Sequence, residues 1–189
     1  VNTLSDTAAN NDGSNDSNTE NNNAEGNDSE TESGNDASSN STAENAVIKC
    51  KDGSQVVLCG TGELILQANG KNGIKSGAST ETKGDASLTI RELTLTIDAP
   101  VNDAVNAESI LNVENGTLEI SAGDDALHSD GELNIGADGT DGPSISITSC
   151  YEGLEGTVVN IFSGDIDLQS TDDCINAADS DQPNGDFQI

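Results

Sequence analysis

Apolar residues alternate with polar residues in short segments along most of this chain. Each segment contains two apolar residues that stand two positions apart, and many of these residues are β-branched. This period of two, without apolar residues at spacings of three and four, predicts strands and argues against helices. The first set of pairs comprises Leu64/Leu66, Leu95/Ile97, Leu118/Ile120, Ile145/Ile147 and Ile166/Leu168. The second set comprises Leu88/Ile90, Leu111/Val113, Leu133/Ile135, Val159/Ile161 and Phe187/Ile189.

A corner recurs between the two sets of strands, and in each corner an acidic or amide residue stands ahead of an apolar residue. Consecutive corner residues are 31, 22, 27 and 21 positions apart. Polar inserts at 78–86 and 136–143 lengthen two of these intervals, so the underlying repeat is about 22 residues long. Stacked repeats of strand, corner and strand predict an all-β fold, namely a right-handed parallel β-helix in which each coil covers its neighbour. The corner residues are Asn72, Asp103, Asp125, Glu152 and Asp173.

A polar residue stands between the two apolar members of each pair in the second set: Thr89, Asn112, Asn134 and Asn160. Parallel strands in register, about 4.8 Å apart, would place these side chains over one another. An amide can donate to one neighbour and accept from the next, so the column can form a hydrogen-bonded ladder. Two roles stay open for it, a purely structural ladder or a surface that contacts a sugar.

Composition divides the chain near residue 45. Residues 1–45 contain ten of the 35 acids, no Lys or Arg, and few apolar residues. Such a segment cannot bury enough apolar surface to offset its ordering entropy, which predicts a disordered tether. The β-helix is predicted over 46–189, as one domain of ordinary size. Nothing follows Phe187 and Ile189 to cover them, so we expect a truncated solenoid that associates end to end.

The sequence contains no membrane-spanning stretch, since no segment approaches eighteen consecutive apolar residues. The chain begins with Val1 and not with Met, so we expect a signal or lipid-anchor segment that is not present in this sequence. A long polar tether ahead of a solenoid suits a protein that is secreted or anchored at a cell surface.

The four cysteines fall into two pairs. Cys50 and Cys59 flank a predicted turn, and either a disulfide or two buried thiols would fit this arrangement. Cys150 and Cys174 occupy different positions relative to their corners, which puts their Cα atoms about 11 Å apart, so both are expected to be reduced. The absence of a Cys-x-x-Cys spacing and the presence of a single His argue against zinc or iron–sulfur chemistry.

The formal charge of the chain is −29, with 35 acidic and six basic side chains. All six bases lie between positions 49 and 91, so the rest of the chain contains no Lys or Arg. This balance argues against nucleic acid as a partner. Stacking the repeats would align four acidic corner residues, Asp103, Asp125, Glu152 and Asp173. Residues Asn102, Asp124 and Asp172 would form a second column directly before them.

An acidic column needs a neutralising charge. Two carboxylates about 5 Å apart repel each other by roughly 3 kcal/mol at an effective dielectric near 20. Protonation of some members is one solution, and Ca²⁺ is the other, because Ca²⁺ takes six to eight oxygen ligands from carboxylates, amides and backbone carbonyls. We expect His128 to be an outward corner residue. The predicted Ca²⁺ ligands are Asn102, Asp103, Asp124, Asp125, Glu152, Asp172 and Asp173, with Glu155 and Asn176 as secondary candidates.

Several segments together resemble the bacterial extracellular family of carbohydrate-binding domain-containing proteins. The resemblance covers nearly all of 56–189, and it implies a right-handed β-helix similar to pectate lyases, Ca²⁺ binding, and affinity for acidic plant polysaccharide of the polygalacturonate type. Family members are often lipid-anchored or secreted behind a low-complexity linker. Ala126 and Cys174 stand where the family commonly has Gly. The segments that carry the resemblance are 60–64, 72–76, 124–129, 151–156 and 172–178.

The predicted function is Ca²⁺-dependent binding of acidic polysaccharide at the cell surface, without catalysis. The chain has one Tyr and two Phe, too few for a flat aromatic platform, and Tyr151 is the candidate for stacking on a sugar. The candidate contacts to the polysaccharide are Tyr151, Glu155, Asn176 and Lys75.

Three alternatives stay open. A Ca²⁺-dependent polysaccharide lyase would need a base beside the metal, and Lys75 is the nearest candidate. Hydrolysis by paired acids would use Asp124 and Asp125 with Glu152. A structural or adhesive surface solenoid would bind Ca²⁺ for stability alone.

Overall fold

The structure is a computed structural model that describes residues 1–6, 46–77, 86–177 and 186–188. These residues form sixteen strands and no helix, so the predicted all-β class is confirmed. No helix that is long and apolar enough to cross a membrane occurs within these ranges. The strands are β1 Asn2–Ser5, β2 Ala46–Cys50, β3 Gln55–Cys59, β4 Glu63–Gln67, β5 Asn72–Ser76, β6 Ser87–Arg91, β7 Thr94–Ala99, β8 Val105–Ala107, β9 Ile110–Val113, β10 Gly116–Ala122, β11 Leu127–Ile135, β12 Pro143–Ser149, β13 Leu154–Ile161, β14 Asp165–Leu168, β15 Ile175–Ala177 and β16 Asp186–Gln188.

The first sheet contains six parallel strands in the order β1-β4-β7-β10-β12-β14. Neighbouring strands pair so that equivalent members of the predicted apolar pairs stand opposite each other. Because side chains alternate along a strand, this register puts one apolar stripe on one side of the sheet. The first set of predicted pairs is therefore confirmed as a stack of parallel strands in register. Its leading column comprises Leu64, Leu95, Leu118, Ile145 and Ile166.

The second sheet contains the corner strands in one arm, β2, β5 and β8, and the second-set strands in the other, β3, β6 and β9. Strands β11 and β13 each run through both arms, and a register shift after Ser129 marks the bend in β11. The second set of predicted pairs is in parallel register up to Phe187, whereas Ile189 lies outside the described residues. Its leading column comprises Leu88, Leu111, Leu133, Val159 and Phe187.

The core consists of the apolar columns that both sheets contribute. Leu66 and Ile97 of the first sheet and Leu111 and Leu133 of the second are at most 1% exposed. Each buried Leu or Ile contributes roughly 1.5–3 kcal/mol through loss of water contact, so the stacking of repeats is the main source of stability. The polar side chains on the outer sides of the strands remain available to bind ligands or metal ions.

The first strand departs from the predicted tether. Asn2–Ser5 pairs in parallel with β4, and Leu4 lies in register with Leu66, which extends one apolar column by a repeat. The Asp6 carboxylate then accepts backbone N–H groups of the turn after β4, at 2.8 and 3.3 Å. This pairing satisfies backbone groups of β4 that would otherwise lie at a sheet edge. Residues 7–45, the remainder of the predicted tether, lie outside the described residues.

All four cysteines are free thiols. Cys50 is buried and Cys59 is exposed, so their side chains point to opposite sides of the strands and cannot form the disulfide that the sequence left open. Cys150 is buried and Cys174 is exposed, and their predicted reduced state agrees with the structure. The two exposed thiols are therefore Cys59 and Cys174.

The two polar inserts fall between strands, as the repeat length predicts. The insert that begins at Gly136 forms the turn between β11 and β12, ahead of Pro143. Most of the other insert, 78–85, lies outside the described residues.

Candidate functional site

Backbone hydrogen bonds connect the corners of successive repeats. In each repeat, the N–H that follows a corner residue donates to the carbonyl of the corner residue in the next repeat, at 2.9–3.0 Å. These bonds hold the corner residues one above another, and they also occupy one lone pair of each corner carbonyl. The predicted acidic column is therefore present. It comprises Asp103, Asp125, Glu152 and Asp173, with the amide residue Asn72 stacked ahead of them.

A second column runs directly before the corners and includes the exposed aromatic residue. The N–H of Asp124 donates to the carbonyl of Asn102 at 3.4 Å, the N–H of Tyr151 to that of Asp124 at 2.8 Å, and the N–H of Asp172 to that of Tyr151 at 3.0 Å. Tyr151 therefore stands between two carboxylate-bearing residues and is 48% exposed. A hydrogen bond to the Asp172 carboxylate raises the pKa of its phenol.

Three predicted ligands converge where the two columns meet. Asp103, Asp124 and Asp125 each present a carboxylate oxygen, and these oxygens all lie within 4.8 Å of one another. Asp103 and Asp125 are buried, with 7% and 9% exposure, whereas Asp124 is exposed. Asp103 is held by its neighbours, because it accepts the N–H of Asp125 at 3.2 Å and the amide of Asn106 at 2.5 Å. The three acids form a triad that is buried on one side and open on the other.

Electrostatics in this triad disfavour the charged carboxylates. Burial raises the pKa of Asp103, the charge of Asp125 raises it further, and the hydrogen bond from Asn106 opposes both effects. Burial also raises the pKa of Asp125, while its hydrogen bond with His128 opposes the shift. The pKa of Asp124 is raised by partial burial and by the charges of its two neighbours. The triad therefore favours a bound proton or a bound cation.

His128 is a cationic partner that the sequence-based prediction did not identify. Its Nδ1 lies 3.2 Å from Asp125 and 2.5 Å from Glu155, and its Nε2 lies 2.8 Å from Asp130. Burial alone would lower the pKa of His128, but the three carboxylates raise it to about 12. His128 is an outward corner residue, as expected, but its imidazole is only 20% exposed and lies among three carboxylates. Part of the column is thus neutralised internally.

The outward side chains of the corner strands form their own column. Parallel register places Lys75 opposite Asn106, then His128, Glu155 and Asn176. Each member lies three residues after its corner residue, so corner and column side chains meet within one repeat, as His128 and Asp125 do. This outward column converts a series of isolated corners into one connected polar network.

Lys75 occupies the first part of that network and is buried. Its Nζ donates to Asn106 at 2.8 Å and forms an ion pair with Glu108, whose side chain is 7% exposed. Lys75 was predicted to contact the polysaccharide. Its placement does not favour that role, because the residue is only 4% exposed and its ammonium is already bonded to Asn106 and Glu108. It instead stabilises the carboxylate of Glu108.

The later predicted site residues are distributed along the next repeats. Asn176 donates to the Glu152 carboxylate at 2.9 Å, so these two candidates are in contact. Asp172 and Asp173 are exposed. Among the described residues, two groups bring three possible metal-ligand atoms together: the triad of Asp103, Asp124 and Asp125, and the group of Asp125, His128 and Glu155. Glu152, Asp172 and Asp173 belong to neither group. The structure therefore concentrates the acidic site at the earlier repeats.

The sequence contained a usable signal for the residues that the prediction missed. Asn106 and His128 stand three residues after their corner residues, the same offset that identified Glu155 and Asn176. Glu108 and Asp130 lie two residues further on. The pattern within one repeat does not show that these side chains contact the neighbouring repeat, because that contact depends on the path of the backbone around the corner.

The predicted amide ladder is present on the second-set strands. Asn112 donates to Thr89 at 3.3 Å, Asn134 to Asn112 at 3.0 Å, and Asn160 to Asn134 at 2.8 Å. All four residues are half-buried, so one edge of the ladder faces solvent. The ladder is confirmed as a structural element.

Comparison with known proteins identifies the family. The model of the carbohydrate-binding domain-containing protein family matches residues 2–134, more than half of the chain. This interval starts at β1 and includes the triad of Asp103, Asp124 and Asp125. No curated protein and no solved structure matches the chain. The chain belongs to the family of carbohydrate-binding domain-containing proteins.

Proposed function

We propose that this protein binds an acidic polysaccharide of the polygalacturonate type through Ca²⁺ and does not cleave it. The observation that carries the proposal is the triad of Asp103, Asp124 and Asp125, whose carboxylate oxygens lie within 4.8 Å of one another in a member of a carbohydrate-binding family. Exposed acids alone are common on protein surfaces, but two of these three are buried.

The donor set of the triad fits a hard divalent cation. Ca²⁺ prefers carboxylate, amide and carbonyl oxygens, and the triad offers three carboxylates. Asp103 and Asp125 would hold the ion from the protein side, while the exposed Asp124 lies on the side toward solvent. The ion would supply positive charge that both relieves repulsion in the column and attracts a uronate carboxylate.

The charge of the protein explains why a cation is needed at all. A chain with a net charge of −29 repels a polyuronate unless a cation bridges the two. Tyr151 lies next to the triad in the second column, so its exposed ring is the candidate for contact with the sugar face. Glu155 is occupied by His128, and we assign it to positioning of the site.

The surroundings of the triad support binding without elimination. Abstraction of the C5 proton of a uronate needs an accessible base. Of the three candidate bases near the repeated face, Lys75 is buried and paired with Glu108, and Arg91 lies 3.9 Å from Glu114. Lys71, which directly precedes the corner residue Asn72, is the base that a lyase would have to use. Hydrolysis by Asp124 and Asp125 with Glu152 gains little support, because Asp125 is bonded to His128 and Glu152 is bonded to Asn176.

We further propose that the stacked repeats wind as a right-handed parallel β-helix, the usual hand of parallel crossovers. Each repeat visits the first sheet, the corner strand and the second-set strand in the same order. A location outside the cell or on its surface follows from the proposed ligand.

Affinity gel electrophoresis in polygalacturonate, with Ca²⁺ or with EDTA, tests this function. We expect retardation with Ca²⁺ alone, loss of retardation in Asp124→Asn, and normal retardation in Asp165→Asn, which removes an exposed acid on β14. Absorbance of the 4,5-unsaturated uronide should stay at baseline. Growth of that absorbance would establish a lyase, and a Ca²⁺-dependent melting temperature without retardation would establish a structural solenoid.

A further inference from the structure

We propose that the amide-ladder face carries a second saccharide site, a groove between Glu114 and Phe162 that takes one uncharged sugar ring. The groove is open to solvent and has a volume of about 440 Å³, within the range of small-molecule sites. Its lining residues come from the ends of the second-set strands and from the turn after β11, and not from the acidic corners.

Gly136 is one of the residues that line the groove. The position directly after each second-set strand is stacked by backbone hydrogen bonds, with Gly136 donating to Val113 at 2.8 Å and Phe162 donating to Ile135 at 2.9 Å. Gly136 thus lies between Glu114 and Phe162 in this column and offers no side chain. Two strand spacings of about 4.8 Å separate the flanking residues, which leaves a gap for a ring between them.

Glycine is required at the bottom of that gap. Gly136 has a φ of 72°, in the left-handed region, and a Cβ at this position would lie 2.3 Å from the carbonyl oxygen of Ser163. A side chain at this position would therefore be strained and would collide with Ser163. The gap is a consequence of how the turn after β11 packs on the next repeat.

The turn that walls the groove is held in place before any ligand arrives. The Ser163 hydroxyl lies 3.2 Å from the N–H of Ala137, which donates to it, and 3.1 Å from the Ala137 carbonyl. Thr140 also donates to that carbonyl, at 2.8 Å. This turn carries Asp138 to the rim of the groove. A wall fixed in this way reduces the ordering entropy that a ligand would otherwise have to overcome.

The floor of the groove presents amides in a fixed orientation. Asn134 uses one N–H to reach Asn112 and accepts from Asn160. An amide has two N–H groups and two carbonyl lone pairs, so Asn134 retains one donor and one acceptor outside the ladder. Sugar hydroxyls both donate and accept, and a rigid amide matches them without loss of side-chain freedom.

The rim of the groove selects an uncharged ring. Phe162 is 42% exposed and offers an apolar face on which the C–H side of a pyranose can stack. Glu114 and Asp138 accept hydroxyl protons and would repel a uronate carboxylate. Arg91 lies 3.9 Å from Glu114, so its guanidinium offsets the charge of Glu114 and not the charge of Asp138. The ligand chemistry is thus opposite to that of the Ca²⁺ triad.

This inference rests on carbohydrate binding by the family but not on Ca²⁺, so the two sites can be tested apart. The experiment is an NMR titration of the full chain in EDTA with three neutral probes, galactotetraose, xylotetraose and mannotetraose. We expect saturable shifts with at least one probe, including the side-chain amide signals of Asn134. If a neutral probe binds and polygalacturonate does not, the proposed Ca²⁺ site is refuted and the groove stands. If polygalacturonate binds and no neutral probe does, the groove is refuted and the Ca²⁺ site stands.

Two variants of exposed residues identify the binding surface. Phe162→Ala should weaken binding roughly fivefold, the size of one lost stacking contact. Asp138→Ala should weaken it by about threefold without change in the melting temperature. Val101→Ala, which shortens an exposed apolar side chain outside the groove, should leave affinity within about twofold of the unmodified protein. The absence of saturable shifts with all three probes, or affinity that both groove variants leave unchanged, would overturn the proposal.

Discussion

Removal of Ca²⁺ should destabilise this protein by an amount that the triad geometry sets. The carboxylate oxygens of Asp103, Asp124 and Asp125 lie within 4.8 Å of one another. At an effective dielectric of about 20, two charges at that distance repel by about 3 kcal/mol. The buried pair, Asp103 and Asp125, sets the scale, because screening by solvent reduces the contribution of the exposed Asp124. The raised pKa of Asp103 makes this an upper limit, since partial protonation relieves the repulsion.

The corresponding change in melting temperature is measurable. For a chain of this size, 1 kcal/mol shifts the melting temperature by roughly 2–4 °C, so chelation should lower it by up to roughly 6–12 °C. Ligand linkage predicts a stabilisation free energy of similar size, because free Ca²⁺ at about 100 times its dissociation constant stabilises the folded state by about 2.7 kcal/mol. Differential scanning fluorimetry in EDTA and across a Ca²⁺ series measures both quantities.

The variant Asp124→Asn separates this explanation from a general effect of charge. It removes one member of the triad, so we expect a higher melting temperature in EDTA and a smaller response to Ca²⁺. The control Asp165→Asn makes the same change of net charge on the first sheet and should keep the full Ca²⁺ response. Equal melting temperatures with EDTA and with millimolar Ca²⁺, or equal Ca²⁺ responses in the two variants, would refute the electrostatic argument.

Three other outcomes follow from the same contacts. Lys75→Met should lower the free energy of unfolding by up to roughly 3–5 kcal/mol, because Glu108 loses the Lys75 ammonium from among its partners in a buried site, and the double variant with Glu108→Gln should recover part of this loss in urea titrations. In EDTA, the melting temperature should rise as pH falls from neutral toward the ordinary carboxylate range, because the raised pKa values of Asp103 and Asp125 make the folded state bind protons before the unfolded state does, and the raised pKa of His128 acts in the same direction; a fall over that range would contradict it. Burial raises the pKa of Cys150 to about 11, so iodoacetamide should label the two exposed thiols in the native protein and leave Cys150 unlabelled by mass spectrometry.

The strands and their register could be predicted from the sequence. Apolar pairs two positions apart indicate strands, and a repeat of about 22 residues leaves one stacking in which every pair meets an equivalent pair. The same reasoning predicted the amide ladder, because Asn112 and Asn134 occupy identical positions in successive repeats. These features depend on one repeated pattern of buried and exposed positions, which can be read directly from the sequence.

The environment of the candidate site could be predicted only in part. The acidic corner column followed from the repeat, but the neutralising role of His128 did not, since the count of Lys and Arg suggested no cation there. The imidazole reaches Asp125 and Glu155 because the backbone turns at the corner and brings a neighbouring repeat alongside. Lys75 was predicted to contact the polysaccharide, but the residue is buried.

By itself, the sequence determined which residues lie inward and which repeats stack, because burial of apolar pairs at a fixed period is a local and repeated requirement. Tertiary structure alone decided the features that join distant or neighbouring repeats. Asn2–Ser5 pairs with β4 across some sixty residues of chain, as the register of Asn2 with Leu64 records. The close approach of the Ser163 backbone to Gly136 is likewise a contact between neighbouring repeats. Such contacts depend on the path of the backbone between strands, which a pattern of polar and apolar residues does not encode.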